Sequence, residues 1–263
     1  MTKNKVLPKI IIVVLSIYLI VPFITTFIYS LSTEWTSILP SGFTLRNYQE
    51  LFADSEFWFS VGRTLVICVV SVAITIVLLL LAMYVVMLES PKLGKYVQLL
   101  CMIPYALQGV ILSIGIISLY SGTGTILSNR MMMLFGAYTI LVLPYIYQGI
   151  RNNINAINGK TLIQAAQMLG CSQFKAYFKV VIPNIMSGII VSSLLAVGIV
   201  FGDFVLANNI AGNNYQNIQV YLYTKMVSSS GLSSAIVVLI FVIVLIITGT
   251  VLYLQSKSEK EEK

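Results

Sequence analysis

Apolar residues in this chain fall into long unbroken runs rather than into the alternating or three-and-four spacings of half-buried surface elements. Six runs reach the length of about 20 residues that a helix needs to cross a bilayer: 10–31, 59–88, 96–120, 131–150, 185–207 and 232–254. The second is longer than required, so it tilts or begins in the headgroup region. The first follows a basic segment, but at about 22 residues it exceeds the roughly 7–15 of a signal-peptide core. No small-residue cleavage site follows it, and it reads as a retained helix. The pattern therefore predicts an all-α membrane protein with six transmembrane helices.

Composition agrees. Of 263 residues, 58% are hydrophobic and 10% charged, against roughly 25% charged in a soluble domain. The net charge of +7 raises nucleic acid as a partner, but the positions of the cations exclude it, because they flank the spans. With the N-terminus placed inside, twelve basic residues face the cytoplasm: Lys3, Lys5, Lys9, Lys92, Lys95, Arg151, Lys160, Lys175, Lys179, Lys257, Lys260 and Lys263. Only Arg46, Arg130 and Lys225 fall outside. That asymmetry sets an orientation with both termini cytoplasmic. Arg63, near the outer end of the second span, can snorkel to the interface. The implied solvent is the lipid bilayer.

There is no histidine, and the three cysteines, Cys68, Cys101 and Cys171, form no CxxC pair. Neither a metal site nor a disulfide framework is expected, no cofactor is implied, and all three cysteines read as packing residues. No Walker A sequence is present, so the chain hydrolyses no nucleotide itself.

Two connections exceed simple turns. The external segment 32–58 is acidic, with Glu34, Glu50, Asp54 and Glu56, and carries Trp35 and Trp58, which suit an interfacial belt. The cytoplasmic segment 151–184 predicts a helix–turn–helix. Residues 160–169 are rich in helix formers, with Leu162, Ala165, Ala166 and Leu169 on one face. Gly170 stands where a helix C-terminal glycine belongs, and Ser172 can cap a second helix ending before Pro183. On that helix Phe174, Tyr177, Phe178 and Val181 share a face, while Lys175 and Lys179 lie on another. Such a pair either rests on the lipid surface or fits a groove on another protein.

The sequence Gln164-Ala165-Ala166, then Gly170, then Val180-Val181-Ile182-Pro183 resembles the EAA loop of binding-protein-dependent ABC importer permeases of the MetI-like, type I class. All the spacings agree. Gln164 replaces the family's acid and Ile182 its leucine, so a salt bridge at position 164 is not expected. The resemblance implies a core of five transmembrane helices over 59–254, containing the coupling loop 151–184. It further implies an N-terminal helix and external loop over 1–58 and a cytoplasmic tail over 255–263. Implied partners are a cytoplasmic ABC ATPase dimer, a second permease subunit (identical or different) and an extracytoplasmic solute-binding protein. The implied coupling residues are Gln164, Ala165, Ala166, Gly170, Phe174, Tyr177, Phe178 and Pro183. Residues 39–48 resemble the corresponding loop of spermidine/putrescine, ferric-iron, thiamine and phosphonate permeases, and residues 201–207 are similar to the polyamine-type members. A polyamine is the first choice of solute, with 2-aminoethylphosphonate or ferric iron as alternatives.

Asp203 is the sole acid in a predicted span. An ionisable group there should face protein or a watery path, where it can meet a cationic solute; the alternative is a cap on a broken helix. Tyr105, Gln108, Tyr145 and Gln148 are further pathway candidates. Pro22, Pro104, Gly109, Gly115, Pro144, Gly198 and Gly202 interrupt the spans and mark either bending points or close helix packing. An ion-coupled secondary carrier is the rival class, but such carriers show paired repeats and several intramembrane charges, and neither is seen.

Overall fold

The computed structural model describes residues 6–34, 41–107, 109–227 and 229–261. Trp35 and Gln108 lie outside the described residues. The chain divides into two compact units, one of Met1–Phe59 and Tyr221–Leu245, the other of Ser60–Val220 and Ile246–Lys263.

In the first unit, α1 (Val6–Ser30) leads into an antiparallel hairpin of β1 (Ser32–Glu34) and β2 (Ser41–Phe43), with Ser32 opposite Phe43 and Glu34 opposite Ser41. The helix α2 (Arg46–Ala53) follows, and α3 (Ser55–Leu88) begins two residues later. The segment read as an external loop thus carries secondary structure of its own. Its polar groups show why. Asn47 Nδ2 donates to the carbonyls of Ser30 at 3.0 Å and Ser32 at 3.3 Å, and the Ser30 and Tyr48 hydroxyls lie 2.7 Å apart. Asp54 Oδ1 accepts from the Glu56 amide at 2.9 Å, capping α3. Its Oδ2 accepts from the Tyr221 hydroxyl at 2.8 Å and the Lys225 ammonium at 2.9 Å, both on α12 (Ile218–Met226). Burial alone would raise the Asp54 pKa, but the Lys225 and Tyr221 bonds and the Glu56 amide outweigh it and hold the carboxyl below its ordinary value. Leu51 and Phe57 are fully buried beneath this network. Trp58 stays half exposed, stacked on Phe52 at 5.9 Å.

The second unit is built around α6 (Arg130–Ala156). Asn129 caps it by accepting from the Met131 amide at 2.9 Å, and it runs through Pro144 and past the predicted end of the fourth span. Its main neighbour is α10 (Met186–Gly202). The two approach through small residues. A Cβ on Gly149 would strike Ser192, and one on Gly188 would strike the Asn153 carboxamide. Since 149 meets 192 and 153 meets 188, the helices run antiparallel. Apolar side chains gain little by leaving lipid for protein, so closeness of this kind, together with hydrogen bonds, holds membrane helices together. A hydroxyl stripe on α3 adds to it: Ser71 donates to the Phe135 carbonyl at 3.4 Å, and Thr75 lies 3.3 Å from that of Thr139.

The third predicted span is not one helix. It consists of α4 (Gly94–Ala106) and α5 (Val110–Tyr120), sharply bent relative to each other. Pro104 removes a backbone donor in the last turn of α4, and Gly109, at φ +59°, precedes α5 in a conformation that side-chain-bearing residues resist. The fifth span also ends early: α10 stops at Gly202, and α11 (Val205–Ile210) starts after a two-residue break. The sixth is longer than predicted, since α13 (Ser230–Glu261) continues past Leu254. Cys68 and Cys101 are buried, but Cys171 is exposed, so the packing role expected of all three cysteines holds for two. The Arg63 guanidinium lies 5.7 Å over the Tyr215 ring.

Candidate functional site

The loop 151–184 is helical nearly throughout. Asn158, in a left-handed conformation at φ +49°, turns the chain from α6 into α7 (Gly159–Met168). The end of α7 is a Schellman turn: Gly170, at φ +87°, donates to the Gln167 carbonyl at 2.9 Å, and Cys171 to that of Ala166 at 3.0 Å. Ser172 Oγ then accepts from the Lys175 amide at 3.4 Å and caps α8 (Gln173–Ala176).

The second helix does not end before Pro183, as its sequence suggested. One wide π-helical turn, Tyr177–Val181, leads into α9 (Ile182–Asn184), with the Ile182 amide bonded to the Tyr177 carbonyl five residues back. The wider turn lets a proline, which lacks a donor, sit inside a helical path. Asn184 Nδ2 satisfies the Val180 carbonyl at 2.8 Å. The stretch Gln173–Asn184 then meets α10 at a bend of 62°.

The expected apolar face of α7 is corrected by the structure. Ile163 and Ala166 face inward and are buried, with Leu162 intermediate, while Gln164, Ala165, Met168 and Leu169 are exposed. Positions 159, 163 and 166 form one helical stripe and 165, 168 and 169 another, both without charge, so periodicity alone could not choose between them. The face expected on the second helix divides in the same way. Ala176, Tyr177 and Val181 are fully buried, Phe178 is half-buried, and Phe174 remains 58% exposed. Pro183 is exposed.

Tyr177 anchors the loop to α3: its hydroxyl donates to the Leu80 carbonyl at 2.7 Å, and its ring lies 5.3 Å from Tyr84. Tyr84 also lies 6.0 Å from Phe174 and 6.4 Å from Phe178, which are 4.5 Å from each other. Tyr84 was missed by the sequence reading. An aromatic residue near the end of a span is ordinary, and nothing in spacing ties it to residues some ninety positions on.

Of the pathway candidates, Tyr105, Tyr145 and Gln148 come together. The two rings are 5.2 Å apart, edge to face, and Gln148 Nε2 lies 3.4 Å from the Tyr105 hydroxyl and 3.9 Å from Met102 Sδ. Asp203 has other partners. It stands in the α10–α11 break, where Oδ2 accepts from the Tyr138 hydroxyl at 2.9 Å and the Leu206 amide at 3.0 Å, and its carbonyl accepts from Asn217 at 3.2 Å. This is the helix-capping arrangement weighed as the alternative for Asp203, with buried Tyr138 as a partner the sequence did not suggest.

Residues 55–260 match the family of binding-protein-dependent transport system inner membrane components. The chain belongs to that family. This permease is 23% identical over 250 residues, 93% of its length and 89% of the other's, to the putrescine transport system permease protein PotI of Escherichia coli strain K12. It is 26% identical over 174 residues, 66% of this chain and 60% of the relative, to the sulfoquinovosyl glycerol transport system permease protein SmoH of Agrobacterium fabrum. It is 21% identical over 196 residues, 71% and 70% of the two chains, to the putative 2-aminoethylphosphonate transport system permease protein PhnV of Salmonella paratyphi A. Its fold is similar to that of a bacterial ABC transporter involved in import of the acidic polysaccharide alginate, with a TM-score of 0.64 and 17% identity over 94% of this chain and 95% of that one. The protein is thus a multi-pass inner-membrane permease subunit of an ABC importer, a transport component that works with an ATPase and a binding protein.

Proposed function

We propose that this permease forms half of the passage for a polyamine, and that α7–α9 are its mechanical link to the ATPase. The observation that carries the link is the exposed ridge of Ala165, Met168, Leu169 and Phe174 on an element whose other face is fixed to α3 by Tyr177. Apolar groups displayed in this way favour a protein groove. With Gln164 in place of the family's acid, docking leans on shape and apolar contact. Closure of an ATPase dimer against this ridge would move α3 and α10 together and switch the passage between outward-open and inward-open states. Nucleotide hydrolysis stays on the separate subunit, and both termini of the permease are cytoplasmic.

The proposed assembly pairs this chain with a second permease, identical or different, and with an external binding protein that delivers the solute. Within the chain, 59–254 is the transporting core, 1–58 an added helix with its external segment, and 255–263 a tail. The similarity to a putrescine permease over nearly the whole chain supports a polyamine. So does the Tyr105–Tyr145–Gln148 cluster, since aromatic faces attract organic cations. In this reading Asp203 supplies the single carboxylate of the spans while also capping α11. The similarity to a 2-aminoethylphosphonate permease supports the second reading.

The test is uptake by proteoliposomes containing the full complex, supplied with binding protein and either putrescine or 2-aminoethylphosphonate. Putrescine should accumulate, and Gly170→Val, which cannot hold φ +87° without strain, should lose uptake and solute-stimulated ATP hydrolysis while the complex still assembles. Unchanged uptake by that variant would remove the coupling assignment; accumulation of the phosphonate alone would replace the solute.

A further inference from the structure

Three cations that the transport reading leaves unused line one cleft. Lys95, Arg151 and Lys160 come from the first turns of α4, the last turns of α6 and the first turn of α7, and they border a volume of about 410 Å³. That lies within the range of roughly 300–1,000 Å³ typical of small-molecule sites. Among the described residues, no acid lines the cleft and none of the three cations pairs with a carboxylate. Like charges kept close without a counter-charge repel one another, and an anion relieves that repulsion. Arg151 is held in place, with its guanidinium 5.9 Å over the ring of buried Tyr147. Met83, Val86 and Met87, on the last turns of α3, add an apolar part to the lining.

We propose that this cleft binds a phosphate group, and that the group is the headgroup of an anionic phospholipid of the inner leaflet. The chemistry fits on both sides: three cations for the phosphodiester, and an apolar wall continuous with a transmembrane helix for the start of an acyl chain. Basic pockets between spans at the cytoplasmic side are where such headgroups are held. The inference rests on the function proposed above only for which end of the spans faces the cytoplasm. A headgroup there touches the first turn of α7 and the ends of three spans at once, so it steadies the coupling helix on its base. Anionic lipid therefore raises solute-stimulated ATP hydrolysis by the complex.

The experiment uses the complete transporter in phosphatidylcholine nanodiscs with and without phosphatidylglycerol, reading retained phosphatidylglycerol by native mass spectrometry after detergent exchange. At roughly fivefold per basic residue, Lys95→Gln should retain about five times less lipid than wild type, and Lys95→Gln with Lys160→Gln about 25 times less. Arg130→Gln, at the opposite end of α6, should retain as much as wild type. Inorganic phosphate should compete for the site without matching the lipid's stimulation of ATP hydrolysis. Equal retention by the double variant, or equal loss in Arg130→Gln, overturns the proposal. Stimulation by inorganic phosphate alone as large as that by the lipid overturns the lipid as the source. Lys95 is exposed, so the single variant gives a reading even if the double variant assembles poorly. Failure of the transport reading would show separately, as permease recovered without ATPase. Failure of this proposal would leave the complex whole and indifferent to lipid charge.

Discussion

The helices α1 and α6 both cross the membrane, yet they sit at opposite ends of the scale of burial. The most apolar window of α1 has 0% of its residues buried, and that of α6 has 56%. Hydropathy ranks them the other way, with α1 the more apolar. The reason is physical. A lipid tail serves a leucine as well as a protein interior does, so a helix of Ile, Val, Leu and Phe has nothing to gain from neighbours. The α6 helix carries what lipid cannot satisfy or fill: Tyr138, whose hydroxyl bonds Asp203; Asn153, which bonds the Gly149 carbonyl; and Gly149 with the groove it leaves. Between these two helices, burial follows the polar and small residues rather than the hydropathy.

That contrast can be broken most forcefully at the α6–α10 contact. Gly188→Leu would place atoms where the Asn153 carboxamide lies, and overpacking of this kind costs about 1–3 kcal/mol or more. We expect a drop of several degrees in the thermal midpoint of the detergent-solubilised permease and loss of transport; a normal melt would mean that the two helices are not in close contact. A smaller effect is expected where the loop is anchored to α3. Tyr177→Phe keeps the buried ring but deletes the hydrogen bond to Leu80, worth about 1 kcal/mol. Solute-stimulated ATP hydrolysis should fall a few-fold with the melting temperature little changed, and an unaltered rate would show that the anchor to α3 transmits nothing.

Smaller again is the effect expected at the ion pair of Asp54 and Lys225. Asp54→Asn should cost at most about 1 kcal/mol, since the pair is part-exposed. The pH dependence has a definite sign. A carboxyl whose pKa is lowered by folding contributes stability above its unfolded value near 3.9, and that contribution disappears as pH falls through the depressed folded value. The melting curves of wild type and Asp54→Asn should therefore differ at neutral pH and converge below about pH 4. Divergence that persists in acid would assign the effect to packing instead. The smallest effect is expected on α1, where Leu19 is 61% exposed: Leu19→Val should change stability by less than about 0.5 kcal/mol.

Much of this architecture was legible from residues. The six apolar runs, the glycine stop at 170, the serine cap at 172 and the EAA-like spacing all rest on local chemistry that a sequence displays. What was hidden depends on the partner of each residue. Pro104 and Gly109 announced a possible break in the third span, but a single proline or glycine fits a continuous membrane helix equally well, and only the packing around it decides. Pro183 signalled a stop, and the backbone accommodated it with a π turn. The α7 helix presents two apolar stripes of similar quality, and burial chose Ile163 and Ala166. Asp203 looked like an acid in a passage because its bond to Tyr138 joins positions 65 apart in sequence.

The central claim is that the exposed ridge of α7 and α8 meets an ATPase, and site-specific photocrosslinking within the assembled transporter tests it most directly. A crosslinker at Leu169, 88% exposed, should capture the ATPase subunit, whereas one at Ile163, 1% exposed, should capture only the permease itself. Capture of the ATPase from Ile163 but not from Leu169, or from neither, would contradict the account.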